Sequence, residues 1–122
     1  MKGLKFRVWD KERECYLDET ELAGITPDGK YILYIEEEEI SKLEIEGGYI
    51  LEQYTGLKDK NGKEIYEGDL VAYERNNIAS VRFEYGGFYP FVEPYNDFGC
   101  PSGKEVEVIG NIHENADLLE EE

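Results

Sequence analysis

The chain has 122 residues and a mass of 14.1 kDa, the size of one ordinary domain. Its 13 basic and 29 acidic side chains give a formal charge of −16, which argues against non-specific nucleic-acid binding and electrostatic docking on anionic membranes. Hydrophobic residues make up 40% of the sequence, enough apolar material for a core, which argues against wholesale disorder.

Cysteine usage and the N-terminal sequence indicate a cytoplasmic protein. Cys15 and Cys100 are too far apart to form a CxxC redox pair or half of a zinc site, so two reduced thiols are expected. The spacing leaves one long-range disulfide open as an alternative. The first residues lack the apolar core of a signal peptide, and no stretch reaches the roughly 18 apolar residues of a membrane helix.

The N-terminal third begins with an alternating pattern. Between Leu4 and Asp10, apolar and polar side chains alternate, which predicts a strand with Phe6 and Val8 inward and Trp9 on the opposite face. The sequence Thr-Pro-Asp-Gly at 26–29 predicts a turn before a strand at 31–35.

Residues 36–46 are ambiguous. Glu36 to Glu39 are four consecutive carboxylates, which could meet a cation or a basic partner but are expected to be solvated, because neighbouring side chains point apart. After them, Ile40 and Leu43 fit a helical spacing, whereas Leu43 to Glu46 alternate as in a strand. The pattern leaves helix and strand open up to the glycine pair at 47–48.

Residues 54–73 contain the clearest turn signal. Asn61 and Gly62 are predicted to form the centre of a type I′ hairpin turn, and residues 70–73 to form a buried strand. Further strands are predicted at 79–85, 88–92 and 105–112. A short helix is predicted over 115–119, with Asn115 as its N-cap.

These elements predict a mainly β fold of short antiparallel strands, with an SH3-like small barrel in the C-terminal two-thirds and a short C-terminal helix. We expect residues 1–122 to form a single domain, with a possible subdivision into 1–47 and a barrel-like part at 48–113. No internal repeat or low-complexity linker divides the sequence.

Three segments resemble the YopX family of phage and prophage proteins. The central block is Tyr54–Val71, the opening motif is Lys5–Asp10, and the closing motif is Val108–Asn115. The resemblance implies a predominantly β fold, a phage or prophage origin, a bacterial host cytoplasm and an oligomer. It supplies no biochemical activity and no catalytic residues.

The candidate reaction centres in the sequence do not fit the chemistry they suggest. The acidic residues from Asp59 onward suggest a calcium loop, but the fifth and twelfth positions are Lys63 and Leu70, where an EF-hand needs an oxygen ligand and a carboxylate. His113 is the only histidine and has no nucleophile arranged beside it, and a turn-stabilising role explains Asp69. We therefore predict a protein that is not an enzyme, with no catalytic, metal or cofactor-binding residues and no cofactor.

Aromatic residues are dense between positions 83 and 98. Because carboxylates rather than lysines surround them, they are expected to form core or subunit interface rather than a base-stacking surface. The predicted interaction residues are Tyr85, Phe88, Tyr89, Phe91 and Tyr95.

Three functions follow from these features. The first is a non-enzymatic protein–protein interaction or self-assembling module, whose partner is a second copy of the chain or a host or phage protein. The second is an acidic decoy that imitates DNA and occupies a host nucleic-acid-binding protein. The third, disfavoured by the charge, is nucleic-acid binding through the barrel, with Lys58, Lys60 and Lys63 as a basic stripe.

Overall fold

A computed structural model describes residues 5–74, 77–84, 87–91 and 102–119. Within these ranges the chain is mainly β, with twelve strands and four short 3₁₀ helices. The strands are β1 (Phe6–Asp10), β2 (Cys15–Tyr16), β3 (Leu22–Ile25), β4 (Tyr31–Glu36), β5 (Glu39–Glu44), β6 (Tyr49–Lys58), β7 (Glu64–Tyr66), β8 (Asp69–Tyr73), β9 (Asn77–Ser80), β10 (Arg82–Glu84), β11 (Gly87–Tyr89) and β12 (Glu107–Asn111). The 3₁₀ helices are Glu19–Glu21, Ile45–Gly47, Gly103–Glu105 and Ala116–Leu118. None of the helices in the described ranges has the length and apolar character needed to traverse a bilayer.

The described residues form two compact units. The N-terminal unit is Lys5–Glu52, and the C-terminal unit contains the described residues from Gln53 onward. Strand β6 begins in the first and ends in the second.

The N-terminal unit contains a sheet in the order β2-β1-β6 and an antiparallel sheet in the order β3-β4-β5. Val8 of β1 and Ile32 of β4 are fully buried, as expected for inward positions of half-buried strands. Trp9, predicted to face outward, is also buried. Its ring meets the edge of Tyr16 at 4.9 Å between centroids, because the register of β1 and β2 places these residues opposite each other.

The ambiguous segment after residue 36 is a strand. Strand β5 pairs with β4 along its whole length, with Glu36 opposite Glu39 and Ile35 opposite Ile40. Glu37 and Glu38 form the two-residue connection, and both have positive φ, 52° and 70°. This pattern is that of a primed hairpin turn, so the carboxylate run marks a turn.

The core of the C-terminal unit lies around strands β7, β8 and β9. Strands β12, β8 and β9 form one antiparallel sheet, β10 pairs with β11, and β7 pairs with the end of β6. The buried apolar residues of this core are Ile65, Val71, Ala79, Val81 and Val106. Leu70 and Val71 are both fully buried, which confirms the predicted buried strand.

The predicted closed SH3-like barrel is wrong. The described strands form a half-barrel sheet, and their ladders do not join into one closed ring. One reason is a break at Val81, a buried residue that lies between the end of β9 and the start of β10. Its backbone N–H donates to the carbonyl oxygen of Asp69 at 2.8 Å. As a result, β10 pairs with β11 instead of extending the sheet of β8 and β9.

The predicted C-terminal helix is also wrong. The described residues there form only the single 3₁₀ turn Ala116–Leu118. Asn115, the predicted N-cap, makes no capping hydrogen bond; its Oδ1 accepts instead from the backbone N–H of Asn111 at 3.0 Å. The side chain therefore closes the preceding turn and leaves the helix start unsupported.

Candidate functional site

The predicted aromatic surface lies partly on the hairpin β10–β11. Phe88, Tyr89 and Phe91 are half-buried and pack against the core of the C-terminal unit. Tyr85 and Tyr95 lie outside the described residues. The structure adds Phe83, which faces Phe88 across the hairpin and is 55% exposed. The two rings meet edge to face, with centroids 5.1 Å apart and planes at 71°.

The opposite face of this hairpin carries an arginine stacked on a tyrosine. The guanidinium carbon of Arg82 lies 4.1 Å from the ring centroid of Tyr89, and its Nε donates to Glu84 Oε2 at 2.8 Å. The carboxylate and the ring hold the guanidinium in place. The aromatic hairpin, Arg82–Glu84 with Gly87–Tyr89, therefore presents an exposed phenyl ring on one face and an ordered cation on the other.

A second candidate site is a cleft of about 800 Å³ in the C-terminal unit. Its lining residues are Gly56, Leu57, Lys58, Asp59, Lys60, Gly62, Ser102, Gly103 and Lys104. Two lysines of the predicted basic stripe line this lysine cleft, whereas Lys63 is not among its lining residues. Lys104 takes part instead, and the sequence alone did not reveal it because it lies far along the chain.

The walls of the lysine cleft are joined by backbone contacts. The N–H of Lys60 donates to the carbonyl oxygen of Val106 at 3.0 Å. Gly103 approaches the other wall so closely that an added Cβ would lie 2.7 Å from the carbonyl oxygen of Lys58. Only glycine fits there without displacing one wall from the other.

Asp59 is one of the lining residues of the lysine cleft and is only 4% exposed. Its Oδ1 accepts from the N–H groups of Asn61 and Lys63 at 2.8 and 2.9 Å, and its Oδ2 from that of Val108 at 3.0 Å. Burial is the largest single influence and raises the pKa of Asp59. The three hydrogen bonds and the nearby charge of Lys63 lower the pKa, and together they outweigh burial. The pKa of Asp59 therefore lies below its usual value. The carboxylate therefore holds a loop together as an anion.

The same hydrogen bonds correct the predicted turn. The connection between β6 and β7 has five residues, 59–63, and only Gly62 of the central pair has a positive φ, 84°. A type I′ turn would need positive φ at both Asn61 and Gly62. Because the Asp59 side chain accepts hydrogen bonds from two N–H groups of the loop, it favours this five-residue connection over a two-residue turn.

The remaining candidate residues have local structural contacts. Asp69 Oδ2 accepts from the backbone N–H of Tyr66 at 2.8 Å. The backbone N–H groups of His113 and Glu114 both donate to Asn111 Oδ1 at 2.9 Å. These contacts stabilise turns, as expected for Asx residues next to strands.

The acidic run and Cys15 are exposed positions of the N-terminal unit. Glu36, Glu37, Glu38 and Glu39 are all exposed. Cys15 is an exposed free thiol, and Cys100 lies outside the described residues. Across ranges 5–74, 77–84, 87–91 and 102–119, no three His, Cys, Asp or Glu side chains are grouped so that they could hold a metal ion.

Comparison with known proteins identifies the family. The sequence model of the family described as YopX protein matches residues 5–120. The chain belongs to the YopX family. This confirms the resemblance noted in the three sequence motifs.

Solved structures agree with the YopX assignment. Protein EF1440 from Enterococcus faecalis is 28% identical, with a TM-score of 0.64 over 98% of this chain and 99% of that one. Protein yopX from Bacillus subtilis has a TM-score of 0.67 at 24% identity, over 97% of this chain and 98% of that one, which shows the shared fold. No curated protein matches the chain.

Each YopX-like motif contains a polar side chain that holds a turn. In the opening motif, Asp10 Oδ1 accepts from the N–H groups of Glu12 and Arg13 at 3.0 and 3.2 Å. In the central block, the carboxylates of Asp59 and Asp69 likewise accept hydrogen bonds from backbone N–H groups. In the closing motif, the side-chain oxygen of Asn111 accepts from the N–H of His113. These side chains of the motifs therefore support the fold, whereas the aromatic hairpin and the lysine cleft are candidate surfaces for a partner or ligand.

Proposed function

We propose that this YopX-family chain is a non-enzymatic, self-assembling interaction module of phage or prophage origin, which uses the aromatic hairpin as its contact surface. The observation that carries the proposal is the exposure of Phe83. Phe83 is 55% exposed to solvent, although its ring packs edge to face with that of Phe88.

The energetics of this ring favour a contact. Covering the exposed half of a phenylalanine removes on the order of 100 Å² of apolar surface from water, which is worth about 2–3 kcal/mol before the cost of association. The arginine on the other face of the hairpin is already ordered by Tyr89 and Glu84, so it loses little freedom on binding. Aromatic residues and arginine are the types enriched in protein interfaces.

The non-enzymatic part of the proposal is supported by the roles of the motif side chains. Asp10, Asp59, Asp69 and Asn111 all accept hydrogen bonds from backbone N–H groups, so their acceptor positions serve the turns. The phage origin rests on the family resemblance. We expect the protein to act in the cytoplasm of a bacterial host, with a second copy of the chain as its first partner.

The test is the association state of the full chain, measured by sedimentation velocity from micromolar to millimolar concentration. We expect reversible association of the unmodified chain and at least about tenfold weaker association for Phe83→Ser, since the lost contact is worth more than 1.4 kcal/mol. Ile40→Ser is the matched control, because Ile40 is 67% exposed on a different hairpin. A strict monomer at every concentration, or an equal effect of both substitutions, would overturn the proposal.

The acidic decoy is a second candidate, favoured by the exposed carboxylates at the β4–β5 hairpin. Four consecutive glutamates surround this turn, with Glu36 opposite Glu39. Affinity for a basic host DNA-binding protein should fall steeply with salt and should fall further for Glu37→Gln/Glu38→Gln. Binding that is absent or independent of salt rules out the decoy.

A further inference from the structure

The lysine cleft gathers positive charge on an otherwise acidic chain. Its lining residues carry three ammonium groups, from Lys58, Lys60 and Lys104, and one carboxylate, from Asp59. That carboxylate is buried and accepts three backbone hydrogen bonds, so it does not face the opening as a free acceptor. The exposed charge of the cleft is therefore positive.

The lysines are available to a ligand to different degrees. Among the described residues, Lys58 and Lys104 form no ion pair within 4.0 Å, and both are exposed. Lys60 lies 3.7 Å from Glu107 Oε1, with both side chains about half exposed. Such a surface pair contributes little stability, so an anion of higher charge can compete for this ammonium group.

The size and composition of the cleft define the class of ligand. A volume of about 800 Å³ lies within the range of small-molecule sites. Leu57 supplies an apolar side chain to the lining that also carries the three lysines. Lysine ammonium groups bind phosphate as point charges, and apolar walls favour an organic body attached to it.

Charge selects a compact ligand over a polymer. At physiological salt the Debye length is about 8 Å, so a small anion inside the cleft interacts chiefly with the nearby lysines. A nucleic-acid strand would extend beyond them over a chain whose net charge is −16, and would be repelled.

We propose that the lysine cleft binds a compact organic phosphate of nucleotide size, held by Lys58, Lys60 and Lys104. This site is distinct from the aromatic hairpin and goes beyond the proposed self-assembly. The walls are fixed by the backbone hydrogen bond from Lys60 to Val106 and by the close approach of Gly103, so the site is formed before the ligand arrives.

The test is titration of the full chain with adenosine 5′-monophosphate and with ribose 5-phosphate, followed by calorimetry and by the amide resonances of Gly62 and Gly103. We expect saturable binding of at least one phosphate, with shifts at both glycines. Lys58→Ala/Lys104→Ala should weaken binding about tenfold or more, since each lost charge-assisted contact lowers affinity. Lys11→Ala/Lys30→Ala, the same charge change at exposed positions in the other unit, should stay within about twofold.

Three comparison ligands make the proposal falsifiable. Adenosine tests the need for the phosphate, inorganic phosphate tests the need for the organic body, and a ten-residue thymidine oligonucleotide tests the preference for a compact ligand. Equal or tighter binding of any of the three would overturn the proposal as stated. The absence of saturable binding by both organic phosphates, or equal weakening by both double substitutions, would also overturn it.

Discussion

The carboxylate of Asp59 accepts a hydrogen bond from the backbone N–H of Val108 at 3.0 Å, across 49 positions of sequence. This contact joins the central motif of the YopX-family chain to its closing motif. The other oxygen of Asp59 holds its own loop through Asn61 and Lys63. One buried anion therefore holds both a local turn and the start of β12, so its burial at 4% exposure is compensated by hydrogen bonds.

Asp59→Asn should destabilise the C-terminal unit by about 2–3 kcal/mol. The amide NH₂ group that replaces one carboxylate oxygen cannot accept from a backbone N–H, so one buried donor loses its partner. Urea denaturation followed by circular dichroism measures the change. Asp117→Asn, at an exposed position, is the control and should change stability by less than about 0.5 kcal/mol. Equal effects would contradict the assigned role of Asp59.

The stabilisation by Asp59 should depend on pH in a defined direction. Its pKa in the folded chain lies below the usual value of 3.8, so the native state favours the anion more than the unfolded state does. The stabilisation by the Asp59 carboxylate is therefore fully present when the pH is above the pKa of Asp59 in the unfolded chain. It is lost as the pH falls from that value through the lower pKa of Asp59 in the folded chain. The stability difference between the unmodified chain and Asp59→Asn should stay constant from about pH 7 to 5 and shrink below about pH 4. A difference that grows on acidification would contradict this assignment.

Gly103→Ala should destabilise the chain by about 1–3 kcal/mol. The new Cβ would lie 2.7 Å from the carbonyl oxygen of Lys58 and 3.2 Å from Leu57 Cβ, so one wall of the lysine cleft must shift. Gly24→Ala is a suitable control, because no atom lies within 4 Å of its added Cβ, and it should be neutral or slightly stabilising. Thermal unfolding of both variants gives the comparison. No loss of stability for Gly103→Ala would mean that the walls are not fixed there.

Local patterns in the sequence predicted much of the strand content but not the contacts between distant segments. Alternation located the buried residue Val8, and a continuous apolar run located Val71, because both signals depend only on neighbours in the sequence. The same alternation predicts that Trp9 faces outward, but β2 places Tyr16 opposite it and Trp9 is buried, a contact that the local pattern does not contain. Lys104 was missed for a similar reason: its proximity to Lys58 results from the packing of Gly103, not from spacing.

Local patterns also predicted the aromatic surface only in part. The sequence indicated a dense group of rings, and Phe88 and Tyr89 do lie on the aromatic hairpin. Which ring is exposed depends on the break at Val81 that separates β10 from β9. Phe83 is the first ring of the dense group at 83–98, and its exposure follows from that tertiary break rather than from its own neighbours.

Arg7→Met should destabilise the N-terminal unit by about 2–4 kcal/mol. Glu52 is 3% exposed, and its Oε1 accepts from Arg7 Nε at 2.7 Å and from the Tyr16 hydroxyl at 2.9 Å. The substitution removes the cation that Arg7 supplies to this buried carboxylate, and with it the guanidinium that lies 4.4 Å from the Tyr16 ring centroid. Urea denaturation measures the change in the free energy of unfolding.

Arg13→Met is the matched control for Arg7→Met. The Arg13 side chain is 78% exposed, and its Nε lies 3.9 Å from Asp10 Oδ2, so its loss should change stability by less than about 1 kcal/mol. Combining Arg7→Met with Glu52→Gln should destabilise less than the sum of the two single changes, because the second change removes the uncompensated charge. Strict additivity would show that the two residues do not act as a pair.

Glu37→Asn/Glu38→Gly should stabilise the β4–β5 hairpin by about 1–2 kcal/mol. Both glutamates have positive φ, 52° and 70°, a conformation that strains ordinary side chains but suits the Asn-Gly pair of a primed turn. The substitution also removes two of four adjacent carboxylates, so relief of repulsion must be separated from relief of backbone strain. Glu37→Gln/Glu38→Gln removes the same charge and keeps the backbone preference, and it should yield a smaller gain that disappears in high salt. If both pairs stabilise equally at high salt, backbone strain at this turn is not the cause.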